Sequence, residues 1–186
     1  MTLPNWFEVT AEKHFLRFLP QLNPRRCLQL GAFTGDASVW ILEHFPDCKL
    51  VDVDTWEGSG AEHEAISMKE AEHLYDDRMG KYGERVHKWK GTTADFLAYN
   101  SPWLNSRYDF VYVDADHHAS SVLADAVGAW ALLRPGGLMA FDDYLWAAPS
   151  GRELDTPFPG IEAFRHVYAD QLEVLLRAEQ CWVRKR

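Results

Sequence analysis

The sequence predicts an α/β protein whose mostly parallel sheet has helices on both faces. Apolar runs of strand length alternate with helical patterns, which is typical of βαβ units. The first such run stops at a glycine turn that leads directly into a helix, and two later runs end in paired carboxylates. The chain has 186 residues, of which 47% are hydrophobic and 25% charged. That is enough for one substantial core, so residues 1–186 are interpreted as a single domain.

The elements are predicted in order along the chain. An amphipathic helix spans residues 5–19 and is ended by Pro20, within an N-terminal helical segment 1–22. Strands are expected at 26–30, 49–54, 86–90, 108–114 and 138–142. Helices are expected at 35–45, 62–81, 93–99, 119–133 and 161–171. Two final runs, 172–177 and 180–184, are close enough to pair as an antiparallel hairpin at the sheet edge, which completes a seven-stranded sheet.

Two segments are predicted to be loops over the carboxyl ends of the strands, where ligands bind in open α/β sheets. Residues 56–60 follow the second strand, and residues 144–160 form a Pro- and Gly-containing active-site loop after the fifth. Aromatic side chains in these regions and in the N-terminal helix would suit a flat or sugar-like ring, although core packing explains several of them equally well: Trp6, Trp56, Tyr75, Tyr144, Trp146 and Phe158.

Composition limits the partners. The formal net charge is −9 and the longest basic block is Arg184-Lys185-Arg186. This argues against nucleic acid, since phosphate neutralisation needs clustered Lys and Arg. Apolar runs are too short to span a membrane, the N-terminus lacks a signal-peptide layout, and the three cysteines lack metal-ligand spacing. We therefore expect a cytoplasmic protein with free thiols and a small-molecule partner. The oligomeric state stays open, a homodimer included.

The glycine turn is the most informative motif. Gly31 ends the first strand, Gly35 follows four positions later, and a helix starts there. Glycine backbone lets a ligand approach closely, and the first N–H groups of the helix face it. A dinucleotide fingerprint needs a middle glycine where Phe33 stands, so NAD and FAD are disfavoured. A tight turn without a ligand is the alternative interpretation.

The second and third strands also end in candidate ligand contacts. Asp54 closes the second strand, where a carboxylate can accept both hydroxyls of a ribose. Thr92 and Thr93 follow the third strand, and their hydroxyls or backbone amides could contact an adenine edge. The alternatives are a solvated aspartate at position 54 and a plain helix N-cap at position 92 or 93.

The fourth and fifth strands bring acidic residues to the same edge. Asp114 and Asp116 end the fourth strand, and Asp142 with Asp143 ends the fifth. Carboxylates that converge in this way suit a hard divalent cation such as Mg²⁺, which relieves their repulsion. His117 could act as an acid or base near neutral pH. Helix capping and solvated acids are the alternative.

Taken together, these motifs resemble the class I S-adenosylmethionine-dependent methyltransferases, from Cys27 to about Lys185. The resemblance rests on the glycine turn 30–35, on 53–56, on 110–117, and on 132–138 leading to 142–144. The two acidic strand ends are similar to those of the small metal-assisted O-methyltransferases. The resemblance therefore implies a Rossmann-like methyltransferase fold and a methyl transfer to oxygen.

The resemblance also assigns roles to residues. It implies that Asp114, Asp142 and Asp143 hold Mg²⁺, and that Asp116 or His117 is the base. The residues that it implies for S-adenosylmethionine are Gln29, Gly31, Phe33, Gly35, Asp54, Trp56, Thr92, Thr93 and Asp114. Gln29 departs from the family, which usually has an acid at this position, facing the methionine end of the donor. An amide can still bind an ammonium group but brings no charge.

Three other functions stay open at this point. The first is a metal-independent methyltransferase with another small acceptor. The second is a non-catalytic protein that binds S-adenosylmethionine or a nucleoside, which Gln29 favours slightly. The third is a nicotinamide oxidoreductase, which Phe33 disfavours. The acceptor itself cannot be deduced from the sequence.

Overall fold

The computed structural model describes residues 3–58, 66–100 and 107–186. The described strands are β1 (Arg26–Leu30), β2 (Lys49–Asp54), β3 (Val86–Lys90), β4 (Tyr108–Val113), β5 (Leu133–Phe141), β6 (Leu172–Arg177) and β7 (Cys181–Lys185). They form one sheet in the order β3-β2-β1-β4-β5-β7-β6. Strands β1 to β5 pair in parallel, whereas β7 pairs antiparallel with both β5 and β6. The predicted α/β class with its antiparallel C-terminal hairpin is confirmed.

Helices cover both faces of this sheet. They are α1 (Trp6–Thr10), α2 (Glu12–Leu22), α3 (Asp36–His44), α4 (Met68–Met79), α5 (Thr93–Asn100), α6 (Ala119–Leu132) and α7 (Pro157–Val167). Helices α2, α3 and α4 bury one core, which contains Phe15 and Trp40. Helices α5, α6 and α7 bury the other, which contains Trp130 and Phe164. Among the described helices, none is long and apolar enough to cross a membrane.

The carboxyl edge of the sheet is fixed by backbone hydrogen bonds just beyond the strand ends. The Gly31 amide donates to the Val53 carbonyl at 2.8 Å, and the Asp114 amide donates to the Leu30 carbonyl at 2.8 Å. The Asp142 amide donates to the Val113 carbonyl at 3.1 Å. Because β1, β2, β4 and β5 are parallel, the turn and the acidic residues that follow these strands meet at one edge.

The N-terminal segment differs from the prediction of one helix that ends at Pro20. It forms two helices that meet at Ala11, and α2 continues through Pro20 to Leu22. Pro20 removes one backbone hydrogen bond from α2 but does not end it, and Asn23 ends the helix in the left-handed conformation with φ 46°. The periodicity did not show the break at Ala11, since α1 and α2 both continue an amphipathic pattern.

Three further boundaries differ from prediction. Helix α4 starts at Met68, where the Ser67 side chain accepts a hydrogen bond from the Glu70 amide. The predicted residues 62–65 of this helix and 59–60 of the first loop lie outside the described part of the chain. Strand β5 starts at Leu133, so it includes the Pro-Gly-Gly turn, with a register shift against β4. Helix α7 starts at Pro157, which shortens the predicted loop 144–160 because proline favours the first turn of a helix.

Candidate active site

A cleft of about 910 Å³ lies along the carboxyl edge of the sheet. Its walls come from the glycine turn after β1, the ends of β2 to β5, helix α1 and the start of α6. Most of the residues predicted for cofactor, metal or catalysis line it: Gln29, Gly31, Phe33, Asp54, Thr92, Thr93, Asp114, Asp116, His117, Asp142 and Asp143. The structure therefore brings together residues that are far apart in the sequence.

The glycine turn follows a path that only glycine allows at position 31. Gly31 has φ +90°, and a Cβ built on it would lie 1.9 Å from the Asp114 carbonyl oxygen. Phe33 and Gly35 also have positive φ, at 45° and 80°. The Phe33 ring faces the cleft and stacks on Trp6 of α1, with ring centroids 5.1 Å apart. The turn therefore presents its backbone and one aromatic face to the cleft.

Asp54 binds the turn in addition to lining the cleft. Its Oδ2 accepts hydrogen bonds from the Ala32 and Phe33 amides, both at 2.8 Å. Its Oδ1 accepts from the Trp56 amide at 2.7 Å. A carboxylate has about four acceptor positions, so one is left for a ligand hydroxyl. The same side chain can thus shape the turn and bind a ribose.

Gln29 supports the turn from below. It is 2% exposed. Its Nε2 donates to the Gly31 carbonyl at 2.8 Å, and its Oε1 accepts from the Ser38 hydroxyl at 3.1 Å. Both ends of the amide are therefore used within the protein, while the side chain still forms part of the cleft wall.

Gly35 and Trp56 are not among the described residues that line the cleft, so their predicted contacts with the donor stay predictions. Trp56 has positive φ, which turns its ring under the glycine turn, where it is 4% exposed and packs on Tyr75. Its indole N–H donates to the Phe33 carbonyl at 2.8 Å. Gly35 faces Tyr75 and Met79 of α4. Both residues hold the turn in place from behind.

Thr92 and Thr93 differ in what they bind. The Thr92 hydroxyl accepts from the Asp95 amide at 3.0 Å and donates to the Asp95 carboxylate at 2.7 Å. It therefore caps α5, which is the alternative that the sequence left open. The Thr93 hydroxyl bonds to Asp125 on α6. Both threonines still line the cleft.

The acidic edge contains a group with the geometry of a metal site. Asp114, His117 and Asp143 each offer one ligand atom, and these three atoms lie within 4.8 Å of one another. His117 Nε2 lies 3.0 Å from Asp143 Oδ2. Two of the three predicted ligands belong to this group. The third, Asp142, is not in this group; its Oδ1 accepts a 2.9 Å hydrogen bond from Gln180, and its role as a ligand stays a prediction.

The electrostatics of this edge favour a cation. Burial raises the pKa of the Asp114 carboxyl well above its usual range, and the charges of Asp142 and Asp143 raise it further. Burial, together with the charge of Asp143, raises the pKa of Asp142 to about 6. A bound cation would relieve both effects. Carboxylates suit Mg²⁺, and the imidazole also suits Mn²⁺ or another transition metal, so the donor set fits a divalent cation.

Asp116 pairs with His118 and not with the metal-type group. Its Oδ1 lies 2.8 Å from His118 Nδ1 and accepts from the His118 amide at 3.1 Å. Burial acts to raise the pKa of Asp116, but hydrogen bonds from Ser121 and His118 outweigh it, so the pKa is lowered. The hydrogen bond to Asp116 raises the pKa of His118. The pair lies on the cleft wall at the start of α6.

Sequence analysis missed two residues at this site. Gln180 is fully buried just before β7, where it also accepts a hydrogen bond from Trp182 and its Nε2 lies 3.3 Å from the Tyr112 hydroxyl. Asp125 lies on α6, where it lines the cleft and is 4% exposed. Neither has a motif around it. Only the folded arrangement brings Gln180 to Asp142.

The family of the chain follows from a comparison with known families. The model of the family described as "Methyltransferase domain" matches residues 28–144, which include the glycine turn and both acidic strand ends. The chain belongs to this family. Its predicted resemblance to the class I S-adenosylmethionine-dependent methyltransferases is thereby confirmed. A search of curated protein sequences finds no match.

Solved structures of methyltransferases have the same fold. The O-methyltransferase TomG from Streptomyces achromogenes, in complex with S-adenosylmethionine, is 19% identical with a TM-score of 0.68, covering 93% of this chain and 78% of TomG. An O-methyltransferase from Bacillus cereus, in complex with S-adenosylhomocysteine, is 16% identical with a TM-score of 0.67, covering 93% and 80%. MycE of the mycinamycin pathway, in complex with Mg and S-adenosylhomocysteine, is 17% identical with a TM-score of 0.64, covering 100% of this chain and 51% of MycE.

Proposed function

We propose that this methyltransferase-family protein transfers a methyl group from S-adenosylmethionine to an oxygen atom of a small-molecule acceptor, with the help of a divalent cation, Mg²⁺ first of all. One observation carries the proposal. A single cleft joins the glycine turn after β1 to the group formed by Asp114, His117 and Asp143. The complexes of TomG with S-adenosylmethionine and of MycE with Mg and S-adenosylhomocysteine support it.

The donor is proposed to lie across β1 and β2. Gln29, Gly31 and Phe33 line the end assigned to its methionine part. Asp54 keeps one acceptor position for a ribose hydroxyl after its three backbone hydrogen bonds. Thr93, at the start of α5, lies where the base would follow. The family's usual acid at position 29 is an amide here, so the charge that attracts the donor comes from other residues.

The acceptor is proposed to lie at the acidic edge. Asp114, His117 and Asp143 would hold the cation, which when bound lowers the pKa of a coordinated hydroxyl. The acceptor oxygen bonds to the methyl carbon while the bond from that carbon to the sulfonium sulfur breaks, which leaves S-adenosylhomocysteine. The acceptor proton goes to Asp116 or His117. If His117 binds the cation, Asp116 takes the proton. Alignment of the two reactants within the cleft supplies much of the acceleration.

The charge of the cleft restricts the acceptor. Its described lining contains neither Lys nor Arg, whereas it includes Asp36, Asp54, Asp114, Asp116, Asp125, Asp142 and Asp143. An anionic acceptor would be repelled by the ionised carboxylates among these, with no Lys or Arg in the described lining to bind it. We therefore propose a neutral or cationic acceptor. Trp6 and Trp146 both line the cleft, and Trp146 packs on His117 with ring centroids 4.6 Å apart.

The first experiment is equilibrium binding. Calorimetry on the full chain should detect S-adenosylmethionine and S-adenosylhomocysteine but no NAD. Heat with NAD alone would favour the oxidoreductase, and no heat with any of the three would contradict the proposal. Binding without turnover on a panel of neutral hydroxylated acceptors, with or without Mg²⁺, would favour the non-catalytic alternative.

The second experiment tests the cation. We predict that Asp114→Asn weakens Mn²⁺ binding by at least about tenfold, because it removes a charged ligand from the group. Paramagnetic resonance of Mn²⁺ measures this without an acceptor. The control is Asp77→Asn on α4, whose carboxylate is 67% exposed and outside the cleft. Equal Mn²⁺ binding by the wild type and Asp114→Asn, or turnover that persists after chelation, would favour the metal-independent alternative.

A further inference from the structure

A buried amide lies directly behind the acidic edge of the cleft. Gln180 is 0% exposed and comes just before β7. The antiparallel register pairs Phe141 with Cys181, so the next position along the two chains places Asp142 opposite Gln180. Burying an amide is costly unless its donors and its acceptor find partners, whereas an apolar side chain would fill the same space without that cost. The partners of Gln180 therefore indicate what the amide does.

Trp182 fixes the orientation of this amide. The indole N–H of Trp182 donates to Gln180 Oε1 at 2.8 Å. Because an indole nitrogen can only donate, the carbonyl end of the amide faces it and the two N–H groups are turned to the other side. The Trp182 ring is 0% exposed and packs on Phe15 and Phe110, with ring centroids 5.5 and 5.4 Å away. A tightly packed indole thus sets the direction of the amide donors.

The N–H groups of Gln180 face the acidic edge. Gln180 Nε2 lies 2.9 Å from Asp142 Oδ1 and 3.3 Å from the Tyr112 hydroxyl oxygen. The Tyr112 hydroxyl also hydrogen-bonds to Asp114 and Asp142. A hydroxyl that accepts from Gln180 keeps its own hydrogen to donate to one of these carboxylates. Gln180 therefore reaches Asp142 directly, and it reaches Asp114, a member of the metal-type group, through one hydroxyl.

A neutral donor suits this position. A Lys or Arg side chain here would hold the carboxylates equally well, but its charge would oppose the binding of a cation. An amide orients a carboxylate without adding charge. Hydrogen-bond partners of metal-binding carboxylates orient them, and removal of such a partner lowers the affinity for the metal by about tenfold to a hundredfold.

We propose that Gln180 is a positioning residue for the divalent cation. It fixes the Asp142 carboxylate, and through Tyr112 the Asp114 carboxylate, in the arrangement that binds the ion. Trp182 acts one step further away, by fixing the amide. This inference rests on the proposed function, because it needs a cation at the acidic edge.

The test measures Mn²⁺ binding by paramagnetic resonance, which needs neither donor nor acceptor. Gln180→Met keeps the length of the side chain but removes both N–H donors, so the affinity for Mn²⁺ should fall about tenfold. Trp182→Phe keeps an aromatic ring but frees the amide to flip, so the fall should be smaller, about threefold. Because Trp182 acts through Gln180, the double variant should lose about tenfold and not about thirtyfold.

Two controls separate positioning from a loss of stability. Val183→Ala also removes buried contacts from β7, since Val183 is 0% exposed, but its side chain lies in the other core, under α5, α6 and α7. It should bind Mn²⁺ as the wild type does. Calorimetry with S-adenosylhomocysteine in the absence of metal should give the same affinity for Gln180→Met and the wild type, because the donor residues lie on β1 and β2.

The outcomes separate this inference from the proposed function. Equal Mn²⁺ affinity of Gln180→Met and the wild type, or an equal loss in Val183→Ala, overturns the inference and leaves the proposed function intact. A thirtyfold loss in the double variant also overturns it, since the two residues would then act independently. Absence of Mn²⁺ binding to the wild type overturns both the inference and the proposed role of the cation.

The inference stays testable if Gln180→Met does not fold, as judged by circular dichroism. Trp182→Phe then decides, because it leaves the Gln180 side chain in place. Weaker Mn²⁺ binding by this variant, with unchanged binding of S-adenosylhomocysteine, supports the inference. Mn²⁺ binding equal to that of the wild type overturns it.

Discussion

Asp52 lies directly beside Gln29 in the parallel register of β1 and β2, beneath the glycine turn. It is 0% exposed, and its Oδ2 accepts a hydrogen bond from the Tyr75 hydroxyl at 2.8 Å. Burial raises its pKa from 3.8 to about 7, although the hydrogen bond from Tyr75 opposes the shift. Burial also raises the pKa of Tyr75, so this hydroxyl stays a donor. The carboxyl is therefore neutral over much of the acidic range.

This residue predicts a pH dependence of stability. Between pH 4 and pH 7, unfolded Asp52 has lost its proton whereas folded Asp52 keeps it, so stability falls as the pH rises through this window and levels off above it. Asp52→Asn should remove the fall, which is worth at most about 4 kcal/mol for a three-unit shift.

Urea unfolding at about pH 4.5 and pH 8 measures the effect. The free energy of unfolding of Asp52→Asn minus that of the wild type should be larger at pH 8 than at pH 4.5. Asp77→Asn is the matched control, since its exposed carboxylate should leave the pH profile as it is. A wild-type profile that Asp52→Asn leaves unchanged would contradict the raised pKa.

At the scale of elements, the glycine turn between β1 and α3 is the most constrained connection at the site. Gly31 approaches the Asp114 carbonyl too closely for a Cβ, and its φ is +90°. Asp54, Gln29 and Trp56 all donate to or accept from the turn. The geometry of the turn is thus fixed by side chains from β1, from β2 and from the segment after β2 as well as by its own residues.

Gly31→Ala should therefore be strongly destabilising, by about 3 kcal/mol or more, because the clash adds to the backbone strain. Thermal unfolding followed by circular dichroism measures this. Gly80→Ala is the matched control: Gly80 has right-handed helical φ and ψ, with nothing within 4 Å of a built Cβ. It should be neutral or slightly stabilising. Similar melting temperatures for both variants would show that the turn is more adaptable than this geometry implies.

The sequence was sufficient for most elements but not for all contacts between them. Strand positions follow from apolar runs, which is why the sheet and the edge that carries Asp114 and Asp143 could be predicted. That Trp56 packs on Tyr75 could not be predicted, because its positive φ is a property of the fold and not of a sequence pattern. Gln180 bonds to Asp142 across 38 residues of chain, through an antiparallel strand whose register only packing fixes.

At the scale of the whole molecule, acidity is concentrated where the donor is proposed to bind. The net charge is −9, and the described cleft lining adds aspartates without any Lys or Arg. Such a surface attracts cations at long range and is screened by salt. S-adenosylmethionine has a sulfonium charge that S-adenosylhomocysteine lacks, so the two ligands report on this field separately.

Salt should therefore weaken binding of S-adenosylmethionine more than that of S-adenosylhomocysteine. Raising NaCl from about 20 mM to about 500 mM shortens the screening length severalfold. The resulting loss of affinity should be roughly threefold larger for S-adenosylmethionine than for S-adenosylhomocysteine. Calorimetry of both ligands at both salt concentrations measures the difference. An equal loss of affinity for the two ligands would mean that the carboxylates of the cleft are neutralised by protons or bound cations.

The amide at position 29 has a consequence for how this chain relates to its family. Gln29 donates to the Gly31 carbonyl, and an ionised carboxylate has no hydrogen to offer. An acidic side chain at this position, the type that the resemblance implies, would set two oxygens against each other below the turn. The amide at position 29 therefore fits the hydrogen bonds of the turn. It attracts an ammonium group less strongly than a carboxylate would, but it holds the backbone of the turn in place.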